Sequence, residues 1–168
     1  MRARCPWPAT PARHRGVDRG QRWDRGRLNR FVRLPAADRS LLVRSVLLLG
    51  ATRLALWLLP LRVVRRLLAR AARPTAAAPA TKERIAWSIS VARRVVPQAT
   101  CLPQALVAEA LLTRAGHPAE LRIGVVKTDQ GRLVAHAWVA SGGRVVVGQL
   151  HEGLSGYTPL PPLPGARV

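Results

Sequence analysis

Hydrophobic spacing changes its period once along this chain, and the change falls at Gly116-His117-Pro118. Upstream, apolar residues recur at helical spacing, as at Ile85, Ile89, Ala92 and Val96. Downstream, short runs bounded by Gly and turn residues have strand character: Leu121 to Val126, Leu133 to Ala140 and Arg144 to Gln149. Gly116 supplies a helix stop, and Pro118 forbids a return to helix. Helices first and neighbouring strands afterwards give an α+β domain with a small antiparallel meander. No internal repeat is present.

The 168 residues suit one domain. Residues 1–33 are rich in Arg, Pro and Gly and read as a disordered or over-predicted N-terminal extension. Residues 34–80 form a helical lead-in and linker. Asp38 is a candidate cap for the first helix, Pro60 a break, and Leu61 to Ala72 a second, amphipathic helix. The core is expected over 81–152, opening on a third helix capped by Thr81 and stopped by Pro97. Residues 153–168 are a Pro-rich tail with one short strand near Tyr157.

Ser40 to Leu59 is strongly apolar, but Arg44 and Arg53 divide it. A membrane-crossing helix needs about 20 nearly uninterrupted apolar residues. The run is therefore read as a buried or partner-facing helix, and membrane association is not expected. The chain carries 28 Lys+Arg against 8 Asp+Glu, a formal net charge of +20. Such a field attracts acidic partners. No helix-turn-helix, zinc-finger or RNP-type pattern accompanies it, so nucleic acid is not an expected partner. No apolar signal-peptide core precedes residue 30. The two cysteines, Cys5 and Cys101, show no metal spacing and make a structural disulfide improbable. A cytoplasmic protein without metal or cofactor is expected.

Cys101 stands where the fourth helix begins, with Thr100 or Cys101 itself at the cap and Pro103 in the first turn. Unpaired N–H groups and the positive end of the helix dipole favour a thiolate there. The same N–H groups can stabilise an oxyanion, with Gln98 as a weaker side-chain donor. His136 lies in an apolar strand between Ala135 and Ala137, where a polar ring must find a partner. A nucleophile and base of this kind usually have a third group behind the ring. A turn centred on Gly142-Gly143 sets His136 opposite Gln149, and a turn half a step earlier sets it opposite Gly148. Gln149 is the candidate orienter, and Glu152 the nearby carboxylate that could replace it. His117 reads as a surface turn residue, and His151 as a strand-end residue.

Cys101-Leu102-Pro103-Gln104-Ala105-Leu106, Leu111 to Gly116, Leu121 to Val125 and Ala135-His136-Ala137-Trp138-Val139 together resemble the leader peptidase of lasso-peptide biosynthesis. That family belongs to the transglutaminase-like, papain-like cysteine superfamily, and the resemblance covers about residues 35–150. It implies a cytoplasmic cysteine peptidase, with Cys101 as nucleophile and His136 as base. The substrate implied is a ribosomally made precursor peptide. The partners implied are a small separate leader-recognition protein and a macrolactam-forming cyclase. The family commonly has an acidic residue after Trp-Val and an Asp near the end of the third strand. This chain has Ala140 and Gly148 there. Alternatives on the same Cys–His scaffold are an acyl transferase or amidase, or an impaired scaffold that docks the cyclase.

Overall fold

The computed structural model describes residues 31–73, 80–128, 131–150 and 154–161. Among the described residues four complete helices come first: α1 (Ala36–Leu58), α2 (Leu61–Ala71), α3 (Lys82–Val95) and α4 (Cys101–Arg114). Four strands come after them: β1 (Glu120–Lys127), β2 (Leu133–Ser141), β3 (Arg144–Val147) and β4 (Thr158–Pro159). They form one sheet in the order β3-β2-β1-β4, with every pair antiparallel. The period change at residues 116–118 is thus the boundary between helices and sheet.

One core joins the two parts. Leu49 of α1, Val64 and Leu68 of α2, and Ile85 and Ile89 of α3 close around Leu106, Val107 and Leu112 of α4. Leu121, Ala137, Val139 and Val147 bring the sheet into the same cluster. The lead-in helices therefore share their interior with the Cys-headed helix. α4 is the central element: from Pro103 to Leu112, only Gln104 and Glu109 are not fully buried. A helix apolar nearly all round belongs inside a domain.

Local signals explain most of the boundaries. Thr81 accepts a hydrogen bond from the Arg84 amide at 3.3 Å, as an N-cap should, while Glu83 and Arg93-Arg94 complement the two ends of the dipole. Asp38 does not cap α1. The helix starts from Pro35, and Asp38 lies inside the first turn. Its carboxylate accepts from Arg84 Nε at 2.6 Å instead, clamping α1 to α3. Ser45 and Ser88 make a second link, a buried hydroxyl pair 2.8 Å apart. His117 is half-buried rather than superficial, because its Nε2 donates to the Ala80 carbonyl at 2.9 Å.

Glu109 of α4 is mostly buried and meets Arg65 of α2 at 3.7 Å. Burial raises its pKa above 4.5, and Arg65 offsets only part of that. A carboxylate raised in the folded state stabilises the fold below its unfolded pKa. That contribution is lost as pH rises through the folded value. Denaturant titrations at increasing pH should therefore show a loss of stability above pH 4.5. Glu109→Gln should flatten this slope, and an unchanged slope would assign it elsewhere.

The sheet supplies the feature that positions the site. The turn at Gly142-Gly143 sets Ser141 opposite Arg144 and Ala140 opposite Val145. The register then slips, so that Val139 faces Val147. A β-bulge of this type bends a strand and re-aims the residues beyond it. β3 ends at Val147, and the expected facing of His136 with Gln149 or Gly148 does not form as a ladder pair.

Candidate active site

His136 sits in the middle of β2, paired across to Gly124 of β1, and is only 3 % exposed. Strand alternation places Ala137 and Val139 in the shared core and His136 with Trp138 on the other face. The His136 and Trp138 rings stack, with centroids 6.2 Å apart and planes at 17°. Tyr157, in the segment before β4, closes over both, 5.7 Å from the His136 centroid and 6.4 Å from that of Trp138. Gly124 makes this possible. A Cβ there would lie 2.8 Å from the Trp138 ring and 3.1 Å from Tyr157 Cβ, so only glycine leaves the aromatic side chain room to lie over β1.

The ring's two nitrogens have different surroundings. Nε2 is 2.7 Å from the Gly148 carbonyl oxygen. A carbonyl only accepts, so Nε2 carries the proton and Nδ1 of the neutral ring holds a lone pair. Among the described residues Nδ1 is buried without a hydrogen-bond partner, as is the Ser141 hydroxyl. Buried polar atoms are nearly always satisfied, and an exception calls for an explanation, of which a catalytic role is one. The ring is therefore held in the tautomer of a base whose lone pair is unspent.

Gly148 owes its place to the bulge. Its φ is +90°, and a Cβ there would lie 2.8 Å from both the Ala137 oxygen and Trp138 Cβ. The chain leaves β3 through this residue and turns its carbonyl toward the ring. Gln149, the expected orienter, is exposed, and the bond to the ring comes from the residue before it. Glu152 and His151 lie outside the described residues.

Cys101 is the first residue of α4, half-buried, and packs against the core cluster. Thr100 is the N-cap in extended backbone and makes no side-chain cap bond. The Cys101 and Leu102 amides are therefore not engaged by a cap, and Pro103 has no N–H to satisfy. The approach to the helix is held from two sides. Gln104 Nε2 donates back to the Ala99 carbonyl at 2.6 Å. Arg53 Nη2 of α1 donates to Gln98 Oε1 at 2.7 Å. The oxygen of Gln98 is thus spent on Arg53, and its NH2 group is the part that remains to donate to an oxyanion. The sequence made a disulfide improbable, yet the Cys101 sulfur is disulfide-bonded here. Thiol chemistry at this position therefore needs the reduced form.

The structure thus gathers His136, Trp138, Tyr157 and the Gly148 carbonyl on one face of the sheet, and sets Cys101 at the head of the central helix. Sequence reasoning missed the Gly148 carbonyl and Tyr157 as partners of the ring. The signal for the first was present as a glycine at a strand end. Among the described residues, no three His, Cys, Asp or Glu side chains converge as metal ligands do.

A profile of the Transglutaminase-like superfamily matches residues 45–161. That span runs from α1 through β4 and includes Cys101, His136 and Gly148. Comparison with curated proteins found no match, and neither did comparison with solved structures.

Proposed function

Because this chain belongs to the Transglutaminase-like superfamily, a scaffold of cysteine peptidases and acyl-transferring enzymes, we propose that it is a cysteine peptidase removing the leader from a ribosomally made lasso-peptide precursor. The observation that carries the chemistry is the His136 ring, buried, tautomerically fixed through Nε2, with Nδ1 unspent. The resemblance of the Cys101 and His136 blocks to the leader peptidases supports the choice of substrate.

In this reading the reduced Cys101 sulfur attacks the scissile carbonyl. The first-turn amides of α4 receive the oxyanion, with the Gln98 NH2 group as a weaker donor. His136 takes the thiol proton on Nδ1 and gives it to the leaving amine, and the acyl group remains as a thioester. Water then adds to the thioester with His136 as base, freeing the acid and restoring the thiol. The Gly148 carbonyl serves where other such pairs use a side chain. It holds the tautomer. The reaction is cytoplasmic, uses no metal or cofactor, and takes its substrate from a small leader-recognition protein for a macrolactam-forming cyclase.

The test is product mass. The reduced full chain, incubated with a lasso precursor and its recognition protein, should yield free leader and a core whose summed mass exceeds the precursor by one water. A product heavier by an added amine instead would make the protein an acyl transferase on the same scaffold. An intact precursor would sink the peptidase reading. Alkylation of reduced Cys101 by iodoacetamide tests the pairing separately. Its rate should change with pH along a curve that His136→Ala displaces, and an undisplaced curve would separate the sulfur from the ring.

A further inference from the structure

The first helix does two jobs. It sends Leu42, Ser45, Leu49 and Thr52 inward. On its outer face it exposes Val43, Leu47, Leu54, Trp57 and Leu58, with Leu47 66 % and Trp57 80 % accessible. At about 100° per residue these five side chains occupy an arc of about 100° along most of the helix. Phe31 and, from α3, Val91 and Val95 extend the apolar surface into a groove beside Val43 and Leu47, which carries no polar lining. A monomer rarely leaves such a surface uncovered.

The charges around the stripe decide what covers it. Arg44 and Arg53 lie about 40° beyond its two edges, one on each shoulder of the helix. Arg62 and Arg66 come next on α2, exposed, just past the Trp57 end. α1 and α2 carry one carboxylate between them, Asp38, and Arg84 engages it. Two copies of this face would set like charge against like charge, which opposes a dimer. An anionic partner fits the rim. A helix lying in a bilayer surface has this geometry, with an apolar stripe sunk below the headgroups and cations at the waterline on both sides. An exposed Trp at one end suits the headgroup region. The same two arginines that argue against crossing a membrane are placed correctly for lying on one. α1 also has the length and composition of a spanning helix, with a mean hydropathy of 1.7 over its most apolar 18 residues. Its buried face, committed to the core, leaves only the outer stripe for lipid.

We propose that the outer face of α1, flanked by Arg44 and Arg53, docks on an anionic lipid surface. The proposal is independent of the peptidase reading. It is tested by sedimenting the full chain with vesicles of phosphatidylcholine and phosphatidylglycerol in equal parts. Strong binding is expected, at least about tenfold weaker on phosphatidylcholine alone and weakened by salt. The double variant Leu47→Asp, Leu54→Asp should bind about tenfold less or worse. Both side chains are exposed, so the far-UV circular dichroism should not change. Tryptophan emission should shift to the blue on binding, and Trp57→Phe should remove most of that shift. Undiminished binding by the double variant would place the attachment in the chain's general charge and overturn the proposal. So would absence of binding, or a concentration-dependent dimer, indifferent to vesicles, that Leu47→Asp dissolves.

Discussion

Replacing Cys101 by Ala is expected to lower kcat/KM for leader removal by about 10⁴-fold or more, the scale on which nucleophile deletions act. The assay is made with reductant, so that wild type starts as the thiol. His136→Ala should cost a similar factor, and the double variant little more than either single one. Residues that act as one unit are not additive in this sense. Cys101 is half-buried at a helix start. Its loss in the reduced protein should therefore change stability by no more than about 1 kcal/mol. A large loss of activity with nearly constant stability separates chemistry from folding. Comparable cleavage by wild type and Cys101→Ala would remove the thiol from the mechanism.

Gly148→Ala is expected to be the most damaging conservative change in the sheet. The backbone holds φ at +90°, and the new methyl would meet the Ala137 oxygen and Trp138 Cβ at 2.8 Å. A left-handed residue with a Cβ costs about 1–2 kcal/mol, and overpacking a filled site adds about 1–3 kcal/mol. The sum, about 3 kcal/mol, corresponds to a fall in Tm on the order of 10 °C. Relief of the clash must move the carbonyl that Nε2 donates to, so folded Gly148→Ala protein should also show a displaced pH–rate profile. Gly148→Asp is the informative companion. It places an acid where the leader peptidases commonly have one, yet it should be at least as unstable as the alanine variant and no more active. Recovery of activity in Gly148→Asp would mean that a carboxylate, not a backbone carbonyl, belongs behind the ring.

Much of this arrangement is written locally in the chain. The change of period at Gly116-His117-Pro118, the Thr81 cap and the stop at Pro97 each act within a few residues. The start of α4 at Cys101 is largely local, since Pro103 fits the first turn and Gln104 bonds back to the Ala99 carbonyl, while Arg53 holds Gln98 from a distance. Helix, strand and hairpin assignments are legible from these signals because each rests on short-range sterics or hydrogen bonding. His136 is recognisable as unusual for the same reason, being a polar ring in an apolar strand.

Beyond the reach of the sequence were the choices made between segments far apart in it. Asp38 has the chemistry of a cap, and only the packing of α1 on α3 turns it toward Arg84. The facing of His136 depends on a one-residue bulge opposite Val139 and Ala140. A slip of one residue exchanges every side chain's position, and nothing in Val145-Val146-Val147 marks where it occurs. The hydrogen-bond partner of His136 is a backbone carbonyl, a group every residue carries and no sequence pattern distinguishes. Likewise, the run from Ser40 to Leu59 shows its arginines but not which apolar side chains the core consumes. The sequence alone determined the elements, their order and the positions of the candidate pair, Cys101 and His136. Tertiary structure alone decided what stands behind the histidine and which face of the first helix is left outside. Both depend on where a distant segment packs, a free-energy balance summed over the whole core.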